Sequence, residues 1–167
     1  YRTKKGTIVI AEQLTLSLDA GKLITLVGAN GIGKSTLLRT LTGIQKPLSG
    51  NVYLNQKNIN SFDGITLAQE LSLVLTEKLP PSNLTIFELI SLGRQPYTNW
   101  LGKLSEDDLE KVNSVMKLTQ TEHLAEKKHF EISDGQLQKI MIARALAQET
   151  SIIILDEPTT HLDLFHK

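Results

Sequence analysis

The chain contains no cysteine, which excludes a disulfide framework and is compatible with a reducing compartment. It has no excess of either charge. Eighteen lysine and arginine residues balance 18 aspartate and glutamate residues, so the composition gives no support to binding nucleic acid or an anionic membrane surface. No apolar stretch approaches the roughly 20 residues that cross a bilayer, and no signal-peptide pattern opens the sequence. Any membrane role is therefore expected to come through a partner. Internal repeats and low-complexity tracts are also missing. At 167 residues, 40% hydrophobic and 22% charged, the composition fits one globular domain large enough to bury a core.

Against this background Gly28 to Thr36 stands out: Gly-Ala-Asn-Gly-Ile-Gly-Lys-Ser-Thr, a complete phosphate-loop pattern. The apolar run Leu23 to Val27 before it reads as a strand, and Ser35 to Leu41 after it reads as a helix. Gly28, Gly31 and Gly33 let the backbone turn tightly and bring N–H groups against β- and γ-phosphates with no Cβ in the way. Asn30 and Thr36 belong to the same nucleotide cradle. Lys34 supplies a point charge to the phosphates, and the Ser35 hydroxyl is placed to ligate Mg²⁺. The following helix directs its positive end at the same anion. A Gly-rich turn that binds nothing is the competing reading, and the full pattern between strand and helix argues against it.

A second acidic motif completes the expected site. Ser151-Ile152-Ile153-Ile154-Leu155 is a β-branched run without polar alternation, as in a strand buried on both faces of a parallel sheet. It ends in Asp156-Glu157-Pro158. Carboxylates at the C-terminal end of such a strand lie where an α/β sheet places its ligand groups. Asp156 is expected to hold Mg²⁺ and Glu157 to polarise the attacking water as general base. Taken alone, such a pair could be ordinary loop solvation.

The third segment, Ile132-Ser133-Asp134-Gly135-Gln136 followed by Leu137 to Leu146, resembles the signature motif of the ATP-binding cassette (ABC) ATPases. Ser133 and the backbone at Gly135 open a helix whose free N–H groups can hold a phosphate; an ordinary serine cap is the bland alternative. The resemblance implies that Ser133, Asp134, Gly135 and Gln136 face ATP on a second subunit, in a head-to-tail homodimer. Thr159-Thr160-His161-Leu162-Asp163 stands where the family has its D-loop, and Tyr1 stands where an aromatic stacks on adenine. The sequence departs from the family at two positions. Asp134 replaces a glycine, putting a carboxylate near the partner's phosphates and weakening the closed dimer. Thr76 replaces the Q-loop glutamine, after the strand-like Leu71 to Leu75, which shortens the reach of a residue that couples to the membrane partner.

Leu92-Gly93-Arg94-Gln95-Pro96-Tyr97 and Trp100-Leu101-Gly102-Lys103-Leu104-Ser105 are similar to the importer ATPases for iron-siderophore, haem and cobalamin. The bland reading of Tyr97 and Trp100 is packing between helices. Family members continue past Asp163 and carry a switch histidine there. His161 and His166 are too close to Glu157 for that part, and His123 and His129 read as solvated or capping residues. The resemblance thus implies a cassette incomplete at its C-terminus, inactive in hydrolysis on its own.

The remaining pattern suits this reading. Thr7 to Leu18 suggests edge strands ending at the Asp19-Ala20-Gly21 turn, and Asn51 to Leu54 another strand. Pro80-Pro81 marks a boundary. Thr85 to Gly93 and Ser105 to Leu118 have helical patterns, with a Ser105–Asp108 capping box. The expected fold is α/β: a P-loop NTPase (RecA-like) core over 1–83 and 149–167, with a small antiparallel β element and an inserted helical subdomain over about 84–148. The implied function is ATP binding and hydrolysis, with Mg²⁺, in an importer of iron-siderophore, haem or cobalamin. Implied partners are transmembrane permease subunits and, indirectly, a periplasmic or lipoprotein substrate-binding protein; no nucleic acid is implied. The subunit is expected to be peripheral, on the cytoplasmic face of the membrane. Alternatives are a soluble ABC ATPase of DNA repair or translation, or a catalytically weak nucleotide-binding remnant.

Overall fold

A computed structural model of the chain describes residues 2, 3, 6, 7, 9–76 and 79–158. Tyr1, Glu77, Thr159 to Asp163 and His166 lie outside the described residues. The chain divides into two compact units, one ending at Phe62 and the other starting at Asp63.

In the first unit, β1 (Arg2–Thr3) and β2 (Gly6–Thr7) pair antiparallel. Helix α1 spans Lys34–Leu41, one residue earlier than its pattern suggests. Strands β3 (Tyr53–Leu54) and β4 (Lys57–Asn58) form a hairpin. Asn55 and Gln56 between them sit at φ 48° and 65°, as a two-residue turn of this twist requires. Two strand expectations are corrected. Residues 9–18 and Leu23 to Val27 form no strand, and Leu23 and Val27 are 97% and 85% exposed. An apolar run becomes a strand only when a neighbour takes up its backbone hydrogen bonds, and no described strand pairs with either segment.

The second unit opens with α2 (Gly64–Glu70), capped by the Asp63 carboxylate accepting from Thr66 N–H at 2.9 Å. The chain then enters β5 (Leu71–Val74). Helices α3 (Ile86–Ser91), α4 (Glu106–Thr119) and α5 (Asp134–Ala147) follow, with a 3₁₀ segment, Leu92–Tyr97, between α3 and α4. Strand β6 (Ile152–Leu155) pairs parallel with β5, Leu71 opposite Ile152 and Val74 opposite Leu155. The parallel strand is as expected, but its burial on both faces is not: Ile152, Ile153 and Leu155 are each more than a third exposed. Among the described residues β6 has one strand neighbour, so one edge and part of its surface stay open.

The core of this unit is the three-helix junction. Ile86, Leu89 and Ile90 of α3 meet Val112 and Met116 of α4 and Ile140, Ala143 and Ala147 of α5. Each fully buried isoleucine, leucine, valine or methionine among them contributes about 1.5–3 kcal/mol. Gly93 permits the close fit: a Cβ there would lie 2.3 Å from the Arg144 carbonyl oxygen and 3.2 Å from Ala147 Cβ. The Ser105–Asp108 capping box forms as expected, with Asp108 Oδ2 accepting from Ser105 N–H at 2.9 Å and hydroxyl at 2.7 Å.

Burial alone would raise the Asp108 carboxyl. Hydrogen bonds from Ser105 and then the Arg94 guanidinium outweigh it and lower the group from 3.8 to about 2. Because the folded value is depressed, this stabilisation is complete above 3.8 and is lost as pH falls toward 2. Chemical denaturation at stepped pH is expected to show the loss, and Asp108→Asn should remove that part of the slope. An unchanged slope in the variant would refute the assignment.

Candidate functional site

The phosphate loop breaks ordinary rules of helix initiation. Gly33, the residue before α1, sits at φ 108° and offers no side-chain cap, so the first-turn N–H groups have no partner on the helix. Gly31 also adopts positive φ, 79°; Gly28 does not, and there a Cβ would press on Ile32 at 3.3 Å. The first turn carries Lys34 and no acid. A cation at a helix N-terminus opposes the macrodipole. Lys34 turns back instead, donating to the carbonyls of Gly28 (2.9 Å) and Ala29 (3.1 Å). Uncapped donors and a misplaced cation on one exposed loop suit an anion, and such local violations concentrate at functional sites. Ser35 and Thr36 lie half-buried on this first turn.

The acidic residues belong to the second unit and are described within it. Asp156 follows β6 directly, its N–H extending the parallel ladder to the Val74 carbonyl at 2.9 Å. The residue is 2% exposed, and its Oδ2 has no hydrogen-bond partner among the described residues. A buried carboxylate oxygen without a donor is costly unless a cation meets it. A hydroxyl and a carboxylate are hard oxygen donors of the kind Mg²⁺ takes, and that ion rarely occupies an all-protein cage. No group of three or more His, Cys, Asp or Glu side chains converges among the described residues. Ser35 in the first unit and Asp156 in the second are each, taken separately, oxygen donors of the type Mg²⁺ accepts. Glu157 is exposed and sits at φ 47°, a left-handed conformation unusual for a side chain of this size. Thr76 is half-buried two residues beyond Val74, so the parallel register brings it and Asp156 to the same end of the strand pair.

Ser133 caps α5. Its Oγ accepts from Gln136 N–H at 3.2 Å while Gln136 Oε1 accepts from Ser133 N–H at 3.0 Å. Asp134 is exposed in the first turn and Gly135 is half-buried. This N-terminus has a side-chain cap on the Gln136 N–H and an acid in its first turn, whereas α1 has neither. The role of Tyr1 and that of Asp163 lie outside the described residues.

Two features escaped the sequence. Arg94, 2% exposed, donates from Nε to Asp108 Oδ1 and from Nη1 to both the Ala147 carbonyl and Glu149 Oε2, each at 2.8 Å. Its guanidinium also lies 4.1 Å from the Tyr97 ring centroid. This ties the start of α4 and the end of α5 to the 3₁₀ segment. The second is a polar latch: Gln148 Nε2 donates to the Ala68 and Leu71 carbonyls, and Tyr97 hydroxyl to the Gln148 carbonyl at 2.9 Å. A lone arginine after glycine was the only available signal for the first. Trp100 is a correction: far from packing between helices, it is 91% exposed.

Comparison with known proteins fits this geometry. The sequence profile described as ABC transporter matches residues 11–160. An uncharacterized ABC transporter ATP-binding protein of Methanocaldococcus jannaschii is 46% identical over 162 residues, 97% of this chain and 56% of that protein. The iron(3+)-hydroxamate import ATP-binding protein of Bacillus subtilis is 40% identical, over 97% of this chain and 60% of its own length. The ferric enterobactin transport ATP-binding protein of Escherichia coli is 38% identical at the same coverages, 97% and 60%. Among solved structures, a dimeric ATP-binding cassette in a post-hydrolysis state with ADP and Pi superposes with TM-score 0.84 at 27% identity, covering 99% of this chain and 73% of that one. This chain thus spans only 56% to 60% of these curated relatives.

Proposed function

Since this chain belongs to the ABC transporter family, with the α/β P-loop fold of its ATP-binding cassettes, we propose that its protein hydrolyses ATP to power import of iron–siderophore complexes. The observation that carries the reading is the start of α1, an uncapped helix terminus behind a glycine loop with Lys34 beside it. Relatives named for ferric hydroxamate and enterobactin favour iron chelates over haem or cobalamin as cargo.

In this reading the loop N–H groups and Lys34 bind the β- and γ-phosphates and offset the charge that develops on the transferring phosphoryl group. Ser35 and Asp156 would hold Mg²⁺, which when bound neutralises phosphate charge. Glu157 orients water and accepts its proton. Ser133 and Gly135 complete the partner's site in a head-to-tail homodimer, with Tyr1 on adenine and Asp163 in the D-loop. Residues 84–148 form the helical subdomain, between core segments 1–83 and 149–167. Thr76 faces transmembrane permease subunits, which hold the protein at the cytoplasmic face of the membrane and link it to a substrate-binding protein. No helix among the described residues is long and apolar enough to cross a membrane itself. The exposed Asp134 on a self-capped α5 favours a second reading, a cassette that binds nucleotide but closes and turns over slowly.

Lys34→Ala removes the side-chain charge assigned to the phosphates. MgATP affinity of the full-length protein should drop at least tenfold, about 1.4 kcal/mol, a modest value for a charge-assisted contact. Titration calorimetry giving equal affinities would remove the basis of the proposal.

A further inference from the structure

Asn30-Gly31 is the one Asn-Gly pair in the chain, and it stands at the turn of the phosphate loop. Both residues are exposed and belong to no helix or strand. Ile32 N–H closes the turn on the Ala29 carbonyl at 3.4 Å, and Gly31 takes φ 79° within it. A Cβ at Gly31 would meet nothing within 4 Å, so nothing crowds that side of the residue. Among the described residues neither the Asn30 side chain nor the Gly31 N–H has a hydrogen-bond partner.

Other positions of similar sequence are tied down. Asp63 also precedes a glycine, but its carboxylate accepts from the Thr66 N–H at 2.9 Å and hydroxyl at 2.6 Å. Asp134 and Gly135 lie in the first turn of α5, where a helical backbone turns the following nitrogen away from the side-chain carbon. An ionised carboxylate is a poor electrophile besides. Asn58 Oδ1 accepts from the Asn60 N–H at 2.9 Å, and Asn99 Oδ1 from the Leu101 and Lys103 N–H groups at 3.0 and 3.3 Å. Asn30 has no such tie, and glycine, without a side chain, leaves its own nitrogen unshielded.

We propose that Asn30 is a site of spontaneous deamidation, which places an acid in the phosphate loop. The Gly31 nitrogen attacks the Asn30 side-chain carbonyl carbon and forms the new C–N bond of a five-membered succinimide. The bond from that carbon to the side-chain nitrogen breaks, and ammonia leaves with the proton of the Gly31 N–H. Water then opens one of the two ring carbonyls, giving aspartate or isoaspartate. Either product adds a negative charge where phosphates are to bind, and isoaspartate also inserts a methylene into the backbone that carries the loop N–H groups. The chemical step stands on the loop geometry alone, while its effect on nucleotide binding rests on the ATP reading above. A nucleotide that engages the Gly31 N–H should slow the step, so the product should collect in protein left empty.

The test incubates the full-length protein at neutral pH and body temperature, with and without excess MgADP. Peptide mapping by mass spectrometry and labelling by an isoaspartate methyltransferase follow each asparagine. Without nucleotide, Asn30 should convert several-fold faster than Asn58 and Asn99, the capacity for MgATP should fall in step, and MgADP should slow both changes. Asn30→Asp should bind MgATP about tenfold more weakly than the unconverted protein. In Asn30→Gln, where the ring would need six members and closes slowly, capacity should hold steady through the incubation whatever its starting level. An Asn30 that keeps its amide as long as Asn58 and Asn99 do overturns the proposal, as does a loss of capacity equally fast in Asn30→Gln. Conversion of Asn30 in a protein that binds no MgATP from the outset would uphold the modification and reject the ATP reading, so the two fail separately.

Discussion

Glu157→Gln in the full-length protein is expected to cut ATP hydrolysis by about a hundredfold or more while leaving ATP binding in place. Glutamine keeps the size and hydrogen-bonding capacity of the side chain but cannot take a proton from water. The residue occupies an exposed position at φ 47° next to the buried Asp156, and glutamine tolerates that backbone no worse than glutamate. The fold should therefore survive and the loss should fall on kcat. With its ATP unhydrolysed, the variant should also accumulate as a dimer. Light scattering that shows only monomer with saturating ATP would reject the head-to-tail arrangement or show that Asp134 prevents closure. Full turnover would reject Glu157 as the base.

Arg94→Ala should destabilise the second unit by about 3–5 kcal/mol, the usual cost of leaving one half of a buried ion pair behind. Asp108 would keep its Ser105 hydrogen bonds but face a cavity where the guanidinium was, and the Ala147 carbonyl would lose its donor. That loss is a large share of the 5–15 kcal/mol that holds a typical domain together. Adding Asp108→Asn removes the stranded charge, so the double variant should recover part of the loss. Urea unfolding of the four proteins of this cycle decides it. If Arg94→Ala costs under about 1 kcal/mol, or the second change recovers nothing, the pair does not organise the helices as described.

What the sequence disclosed depended on how local each signal was. Caps are local: the box at Ser105 formed where its residue types stood, and the serine cap that is only the bland alternative at Ser133 is present as a box with Gln136. The glycine turn and the helix that follows it were likewise legible from the spacing of Gly28, Gly31, Gly33 and Lys34. Helix α2 was missed although Asp63 and Thr66 cap it, because its apolar positions are few. The Arg94 network could not be read at all: Asp108 and Glu149 stand 14 and 55 residues further along the chain, and it is burial of Arg94 and Asp108, with Glu149 joining from the surface, that makes a fixed cluster of them. The strand expected at Leu23 to Val27 erred the other way, since apolar composition cannot supply a hydrogen-bonding neighbour.

The awkward start of α1 has a thermodynamic side. A helix that begins on an uncapped glycine with a lysine against its own dipole is held below its best stability until an anion arrives. By linkage, a nucleotide at a hundred times its dissociation constant adds about 2.7 kcal/mol to whatever binds it only when folded. On the proposed reading, the melting temperature of the full-length protein should therefore rise with the nucleotide level around it, and its lifetime against proteolysis should follow the fuel supply.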